Sequence, residues 1–500
     1  MKKSEANEQL MREILNEHVR FYADEDNPLN VYVEYPRHNG AIVLEPVGSG
    51  MFDAFLGCQY REESDEMIVP NFSEMLEIYV QNLRYRQDRT IRIHRRVAGS
   101  ISKEKILYFL ADERWTTILI NEEGYKRGLS KKLKFLKMPL DDAQVPPKEG
   151  GDLLTLLRKY VNMEEEDFLL FTIYLVQGFS RTSSHFAAIL SSSKGTGKST
   201  LTRLIRAIVD PSKAGVSLMP STEGDLKTLL GNSYLVCFDN TAALSTKISN
   251  ILCAAITGSK EAKRKLYTDA DQVILNLHNM VVINGIDIVP YKSDLAERSL
   301  LFELLPIPKE KRKTDSEFWA DFEADRPLIL GAICQVLADA MKLMSSVETT
   351  SLHRMADANK EMLAIALALG ISEDDFQTIL WGNSKKLQAA YAQNNPFVDC
   401  VASFVKLKGA IYKPASEVYG EVLASIPGNR NFFPDSPSAF SRRLNEEKDT
   451  LEQVGIRFTK SKRSDANYIK LEKIPKSQLT KAQKEAMARK AAADDASMED

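Results

Sequence analysis

A short segment at residues 194–200, of sequence KGTGKST, has the residue types and spacing of a phosphate-binding loop. Its glycines let backbone N–H groups curl around a polyphosphate, and the start of the following helix adds a favourable dipole. The Lys198 ammonium would reach the β- and γ-phosphates, and the Ser199 hydroxyl would ligate Mg²⁺. We therefore predict that seven consecutive residues bind a nucleotide: Lys194, Gly195, Thr196, Gly197, Lys198, Ser199 and Thr200.

Two positions of this nucleotide motif differ from the usual pattern. The full loop pattern has glycine where this chain has Ser192. The apolar run 234–238 ends in Asp239, about forty residues after the loop, where a carboxylate can hold Mg²⁺. The next position usually carries a second carboxylate, and here it is Asn240. An amide can position a water molecule but cannot accept its proton, so the catalytic base stays unassigned.

Two further polar residues follow strands of the same segment. Asn284, at the end of the apolar run 279–283, could contact a γ-phosphate or hold the attacking water. Taken alone, a turn residue before Gly285 is the favoured interpretation. Arg298 could act as an arginine finger in a neighbouring subunit if the subunits form a ring. Taken alone, a surface ion pair with Asp294 is favoured.

Two basic segments could contact nucleic acid. The segment 256–269 contains Lys263, Arg264 and Lys265, which could face a central pore and grip the phosphates of a strand. The segment 84–96 carries six arginines and could form a phosphate-contacting strip, with Tyr85 available for stacking. For each segment taken alone, a solvated basic face is favoured.

The elements around these residues predict several domains. Strands and helices alternate over residues 186–305, which is typical of a three-layer α/β domain. A linker rich in proline and glycine, residues 145–151, indicates a boundary. We predict a mixed α+β domain over 1–145, an ATPase domain over 150–345, a helical linker over 346–395, a separate domain over 396–475 and a charged tail over 476–500.

The segment 396–475 has the pattern of a winged helix. Three helices, the third with a Ser-Pro start, precede two strands joined by a basic turn. Winged helices also mediate protein contacts, but basic residues on the third helix and in the turn favour DNA. The predicted DNA-binding residues here are Arg442, Arg443, Lys460, Lys462 and Arg463.

Composition restricts the class of protein. The net charge of −3 and the 44% apolar content are ordinary, so nucleic-acid affinity must come from local patches. The five cysteines are scattered, which argues against disulfides or a zinc site. No signal peptide or membrane-spanning apolar run stands out, and no membrane partner is expected. We therefore expect a cytoplasmic protein.

The order of these motifs resembles that of the superfamily-3 helicases. The succession GTGKST, VCFDN, ITGSKEAKRKLYTD, VVINGI and DLAERSL is most similar to their bacteriophage and mobile-element branch, which is related to poxvirus-type primase-helicases. The resemblance implies an AAA+-type core that uses ATP and Mg²⁺ and assembles into a homo-hexamer around single-stranded DNA. It also implies a metal ligand in Asp239, a polar sensor in Asn284 and an arginine finger in Arg298.

The function that the sequence favours is an ATP-dependent DNA helicase or replication initiator of a phage or mobile element. One alternative is a DNA-binding initiator or regulator that uses ATP only for assembly, which Ser192 and Asn240 would permit. A second is a small-molecule kinase, which needs neither a basic pore loop nor a winged helix. Primase activity within residues 1–150 lacks a convincing carboxylate cluster for two-metal chemistry.

Overall fold

The computed structural model describes residues 3–64, 71–86, 88–130, 134–182, 184–192, 195–241, 244–264, 272–285, 293–348, 355–393, 395–426, 432–462 and 467–478. It is a mixed α/β structure that contains a parallel sheet, which confirms the α/β part of the predicted fold class.

The amino-terminal unit packs three helices on a small sheet with the strand order β3-β2-β1-β4. Strand β2 alternates buried and half-buried residues because neighbouring side chains point to opposite faces. Its apolar face contributes to a separate hydrophobic cluster. The elements are α1 (Lys3–His18), β1 (Arg20–Asp24), β2 (Val31–Pro36), β3 (Ile42–Pro46), α2 (Gly50–Ser64), α3 (Ser73–Arg86) and β4 (Thr90–Ile91).

A second small sheet follows and is antiparallel, with the order β6-β7-β8-β9. Buried residues on one of its faces, among them Ile106, Tyr108 and Ile118, belong to the same hydrophobic cluster as the later parallel sheet, so packing does not separate the chain at the 145–151 linker. Other buried residues, among them Leu107 and Phe109, form a small separate cluster. Within this junction the buried Gln144 amide donates to the Ile208 carbonyl over 2.8 Å and to the Tyr108 hydroxyl over 3.1 Å. The strands of residues 93–135, which include those of this sheet, are β5 (Ile93–His94), β6 (Val97–Ala98), β7 (Ile106–Phe109), β8 (Thr116–Asn121), β9 (Gly124–Leu129) and β10 (Lys134–Phe135).

The central domain is built on a parallel sheet with the order β12-β15-β11-β16. Its strands are almost entirely buried, as expected for a parallel sheet covered by helices. An antiparallel hairpin, β13–β14, branches from it. The elements are α4 (Leu153–Arg158), α5 (Glu165–Gln177), β11 (Ala187–Ser191), α6 (Lys198–Val209), α7 (Glu223–Gly231), β12 (Leu235–Phe238), α8 (Thr246–Thr257), β13 (Ser259–Arg264), β14 (Gln272–Leu277), β15 (Met280–Gly285), α9 (Ser293–Ala296) and β16 (Ser299–Glu303).

Three helices complete the central core: α10 (Asp315–Leu343), α11 (Ala356–Ala368) and α12 (Glu373–Gln393). Helix α10 begins with a capping box formed by Thr314 and Glu317. Together with the short 3₁₀ turn after it, α10 is long and apolar enough, by length and composition alone, to cross a membrane. More than half of its most apolar stretch is buried inside the protein, as in a core helix. Gly331 allows a close approach here, since a Cβ atom would lie 1.9 Å from the Lys148 carbonyl oxygen.

The carboxy-terminal unit has its own hydrophobic cluster and a three-stranded sheet with the order β17-β19-β18. Its first strand pairs with the last, so β19 is the central strand and β18, the other strand of the hairpin, lies at the sheet edge. The elements are α13 (Pro396–Lys408), β17 (Ile411–Pro414), α14 (Ala415–Ala424), α15 (Pro437–Glu446), α16 (Lys448–Gln453), β18 (Ile456–Lys462) and β19 (Asn467–Lys473).

The arginine-rich segment 84–96 does not form one face. Arg84 lies at the end of α3, and Arg92 is largely exposed, whereas the Arg96 side chain is only 1% exposed. The Arg96 guanidinium bonds the Asp210 carboxylate over 2.7 Å at the end of α6. Burial opposes ionisation, but Arg206 and Arg96 hold the pKa of Asp210 below its usual value. Arg96 therefore joins the early part of the chain to the central domain.

Candidate functional site

The loop before α6 has the backbone shape that a phosphate loop requires. Gly195 and Gly197 have φ angles of +80° and +88°, which residues with a side chain rarely adopt. Gly197 is the N-cap of α6 and, as a glycine, has no side chain that could cap the helix. The helix dipole favours negative charge at this end. Lys194 lies outside the described residues, so its predicted role stays a prediction.

Ser192 takes part in closing this loop. The Lys198 ammonium donates to the Ser192 carbonyl over 2.6 Å and lies 3.2 Å from the Ser192 hydroxyl. The Ser192 hydroxyl also contacts the Thr196 hydroxyl. The residue that departs from the glycine pattern thus positions the Lys198 ammonium over the loop.

Ser199 and Asp239 meet at the carboxyl edge of the parallel sheet. The Ser199 hydroxyl donates to an Asp239 carboxylate oxygen over 3.0 Å, although the two residues are forty positions apart. Hydroxyl and carboxylate oxygens are ligands that Mg²⁺ accepts, usually beside water and substrate phosphates. No cluster of three or more His, Cys, Asp or Glu residues suited to a metal occurs in the part of the chain that the structure describes. The pair therefore fits a magnesium ion that shares its coordination with a phosphate.

Asn284 is the centre of a buried hydrogen-bond network. It is 1% exposed, and its amide oxygen accepts the Asn240 N–H over 3.0 Å. Its amide nitrogen donates to the Thr202 hydroxyl over 2.6 Å, and this hydroxyl donates to the Lys198 carbonyl over 2.9 Å. Asn284 thus joins β15 to α6 and to the loop after β12. This role goes beyond that of a turn residue, which the sequence alone favoured. Thr202 was not among the predicted site residues, although a threonine four residues after Lys198 on a helix can donate to the Lys198 carbonyl.

Asn240 has the geometry of a constrained, accessible residue. Its φ angle is +52°, and its side chain is exposed next to Asp239. The Asn240 N–H bond to Asn284 fixes this backbone. On the strand before it, burial raises the pKa of the Cys237 thiol to about 12, so this thiol stays protonated.

Arg298 is paired within its own chain. Its guanidinium contacts the Asp294 carboxylate and donates to the Asp294 carbonyl over 2.8 Å. The side chain is 15% exposed. The ion pair that the sequence favoured for Arg298 taken alone is therefore present.

The predicted DNA-binding residues divide into three groups. Lys263 and Arg264 are on β13, paired with Val273 and Gln272, but their side chains lie outside the described part, as do Lys265 and Arg463 entirely. Arg442, Lys460 and Lys462 are exposed on α15 and β18. Arg443 differs, because its guanidinium bonds the buried Glu447 carboxylate over 2.9 Å and lies over the Phe397 ring. Its role in this structure is internal packing, which a basic pair on a helix could not reveal.

A cavity of about 620 Å³ adjoins the phosphate loop. It is bounded by the loop itself, the segment 158–163, the chain after β16 and the start of α10. Asn162 holds two of these walls together by donating to the Leu305 carbonyl over 2.9 Å. Ile307 and Phe318 supply apolar surface, and Arg312 supplies positive charge. The residues that line this cavity outside the phosphate loop were not predicted from the sequence, because they come from distant segments.

Comparison with known proteins found a family to which the central part of the chain is similar. Residues 152–375 match the model of a family described as "Actinomycete integrative conjugative element replication protein". No functionally curated protein matches the chain.

Solved structures that match the chain have low similarity to it, as two of them illustrate. The apo structure of the NrS-1 C-terminal region is 15% identical, covers 93% of this chain and 99% of its own, and has a TM-score of 0.40. A structure of JCV helicase is 15% identical, covers 47% of this chain and 64% of its own, and has a TM-score of 0.24. Over residues 152–375, the chain is therefore similar to replication proteins of integrative conjugative elements.

Proposed function

We propose that this protein is an ATP-dependent DNA helicase or replication initiator of a mobile element. The observation that carries the proposal is the 3.0 Å contact between Ser199 and Asp239, beside the Lys198 ammonium and the start of α6. Ser199 and Asp239 are a pair of metal ligands in this proposal. The Lys198 ammonium and the backbone N–H groups at the start of α6 bind the phosphates. The similarity of residues 152–375 to replication proteins supports the DNA part of the proposal.

In the proposed reaction, Ser199 and Asp239 would hold Mg²⁺, which would supply positive charge beside the β- and γ-phosphates. Lys198 leaves the Ser192 carbonyl and binds the phosphates. The nucleoside lies in the adjoining cavity, where Ile307 and Phe318 supply apolar contacts.

Asn240 then positions the attacking water through its side-chain amide. Asn284 is a positioning residue in this scheme, because it holds Asn240 and, through Thr202, the start of the phosphate helix. Hydrolysis with an amide in place of a carboxylate needs a proton acceptor other than Asn240.

A ring arrangement would give Arg298 its second role. In our proposal the subunits form a homo-hexamer, and Arg298 exchanges Asp294 for the γ-phosphate bound by a neighbouring subunit. The β13–β14 hairpin, with Lys263, Arg264 and Lys265, would face the central strand.

For the carboxy-terminal unit we propose a winged helix that binds duplex DNA. The order helix, strand, three helices and a hairpin, with the first strand paired to the last, supports this proposal. Exposed Arg442 on α15 and exposed Lys460 and Lys462 on β18 would contact phosphates. Arg443 is left out of this DNA contact because it bonds Glu447.

The test is ATP turnover with and without single-stranded DNA. We expect DNA to stimulate the wild type, and we expect Lys198→Ala and Arg298→Ala each to abolish turnover. Mixing the two variants should restore part of the activity, since one supplies an intact phosphate site and the other an intact Arg298. Lys247→Ala, which removes an exposed cation on α8, is the matched control and should behave as wild type.

Negligible turnover by the wild type would refute hydrolysis. If ATP still promoted assembly and duplex binding in that case, the alternative of an ATP-dependent initiator without unwinding would replace our proposal. That alternative is favoured by one observation, the amide at Asn240.

A further inference from the structure

A large cleft lies between the amino-terminal unit and the central domain. Its volume is about 880 Å³, and its walls come from the β1–β3 sheet, the segment 136–139, the end of α7 and the end of β14. It is separate from the nucleotide cavity, with which it shares no lining residue. None of the functions assigned above uses it.

The cleft has an excess of positive charge. Two of its three carboxylates are neutralised, because Arg37 pairs with Glu45 over 2.9 Å and Lys260 pairs with Asp26 over 2.6 Å. The third, Asp24, faces four further cations in the lining: Arg95, Lys137, Arg181 and Lys213.

Two guanidinium groups form one end of this positive surface. Arg95 donates to the Gly231 carbonyl over 2.6 Å, but its other terminal nitrogen is buried without a hydrogen-bond partner. Among the described residues, no hydrogen bond or ion pair of the Arg181 guanidinium is found either. Burial lowers the pKa of both groups, which shows that desolvation of their charge is not fully compensated within the protein. An anion would supply the missing partner.

Two lysines form a second part of the surface. Burial, together with the neighbouring Lys213 charge, lowers the pKa of Lys137. The Lys213 ammonium donates to the Pro139 carbonyl over 3.4 Å. Cations in two places suit a ligand that carries several separate phosphates better than a single small anion.

One aromatic side chain of the cleft, Trp115, is already covered by cations. Arg37 lies 5.1 Å and Lys137 5.6 Å from the centroid of the Trp115 ring. A base would have to displace these cations in order to stack on Trp115. The cations of the cleft therefore suit phosphate groups better than Trp115 suits a base.

The cleft also touches the base of the β13–β14 hairpin. Asn276 and His278, at the end of β14, are part of its lining. Asp26 of the amino-terminal unit binds both Lys260 on β13 and Asn276 on β14, the latter over 3.0 Å. A DNA strand that ran along this hairpin would reach the cleft next.

We propose that this cleft binds the backbone phosphates of single-stranded DNA, through Arg95 and Arg181 at one position and Lys137 and Lys213 at another. The proposal rests on the proposed function for the strand that it binds, but not on ATP hydrolysis. It extends the DNA path from the hairpin of the central domain to the amino-terminal unit.

The test measures the affinity for a fluorescent oligothymidine as a function of salt. The cleft variants are Arg181→Gln and the double variant Lys137→Gln/Lys213→Gln. Lys103→Gln/Lys126→Gln is the control, since both lysines are exposed and outside the cleft. Because each phosphate contact contributes about 0.7 to the salt slope of single-strand binding, the double variant should lower the slope by about 1.4. We expect both cleft variants to bind at least tenfold more weakly at low salt, and the control to bind as wild type.

DNA-independent ATP turnover, measured on the same samples, separates the two proposals. Cleft variants that bind as tightly as the control, with turnover intact, would overturn the cleft and leave the proposed function standing. Cleft-dependent DNA binding without any turnover would support the cleft and overturn hydrolysis. Complete competition by millimolar thymidine monophosphate would overturn a strand as ligand, because a free nucleotide would then suffice. Unchanged circular dichroism of the variants controls for folding.

Discussion

The buried Arg96 provides a test of how the early part of the chain is joined to the central domain. Its guanidinium bonds the Asp210 carboxylate over 2.7 Å and three carbonyls, of Phe109, Asp142 and Pro211, over 3.1–3.2 Å. In Arg96→Met, the carbonyls lose their donor, and each buried acceptor left unpaired costs about 1 kcal/mol or more. Asp210 keeps Arg206 at 3.3 Å, which limits the cost of its lost partner. We therefore expect a loss of about 4 kcal/mol, within the range for breaking a buried ion pair.

The assay is urea unfolding followed by tryptophan fluorescence. Arg92→Met is the matched control, since Arg92 comes from the same arginine-rich segment but is 59% exposed and only 3.8 Å from Glu25. An exposed pair of this kind contributes about 1 kcal/mol at most. With a urea slope of about 3 kcal/mol per molar, Arg96→Met should lower the unfolding midpoint by more than about 1 M and the control by far less.

Equal midpoints for the two variants would refute this reasoning. They would mean that Asp210 and the three carbonyls find other partners, or that the amino-terminal junction is not part of the cooperative core. A loss that Asp210→Asn reverses in the double variant would assign the cost to the carboxylate instead of the carbonyls.

Three further predictions follow from buried polar groups. Burial, aided by the nearby Arg181 charge, lowers the pKa of His94 to about 4, so stability present above pH 6.5 should be lost as the pH falls towards 4; melting temperatures at pH 7.5, 6 and 5 test this, and His94→Gln should flatten the profile. Asn284→Leu should reduce ATP turnover at least tenfold while the melting temperature changes little, because the lost hydrogen bonds are those to the Asn240 N–H and to Thr202 on α6. Turnover equal to that of the wild type would contradict the positioning role of Asn284. Arg443→Ala should destabilise the carboxy-terminal unit by about 3 kcal/mol by leaving the Glu447 carboxylate buried, whereas Arg442→Ala should only weaken duplex binding; calorimetry and a binding titration separate the two.

The local order of elements in the central domain could be predicted from the sequence. The buried run 187–190, the glycine loop and the amphipathic helix after it predict strand, loop and helix, and the parallel sheet confirms the α/β class. The register of that sheet, which pairs Leu190 with Asn284 and Phe238 with Ile283, brings the polar residues to one edge. Periodicity and motif spacing predict the order of strand, loop and helix because that order is local, whereas the register joins strands that are distant in sequence.

Contacts between distant segments could not be predicted in this way. Six arginines over residues 84–96 have one composition but several environments, and only the partner Asp210, 114 residues later, distinguishes Arg96 from Arg92. Likewise, two adjacent arginines on α15 differ because Glu447 is buried beside only one of them. The assigned functional roles of the site residues remain predictions for the experiments above.

The shared hydrophobic cluster of the β6–β9 sheet and the parallel sheet has a consequence for how such chains can recombine. A crossover at the 145–151 linker would separate Tyr108 from the Val209 carbonyl that its hydroxyl bonds over 3.0 Å, and would pair two unmatched halves of one core. A crossover between β5 and β6 would cut fewer apolar contacts, because the β1–β4 sheet has its own cluster. Chimaeras of related replication proteins should therefore keep residues 95–145 with the central domain that they pack against, so that Arg96 stays with Asp210.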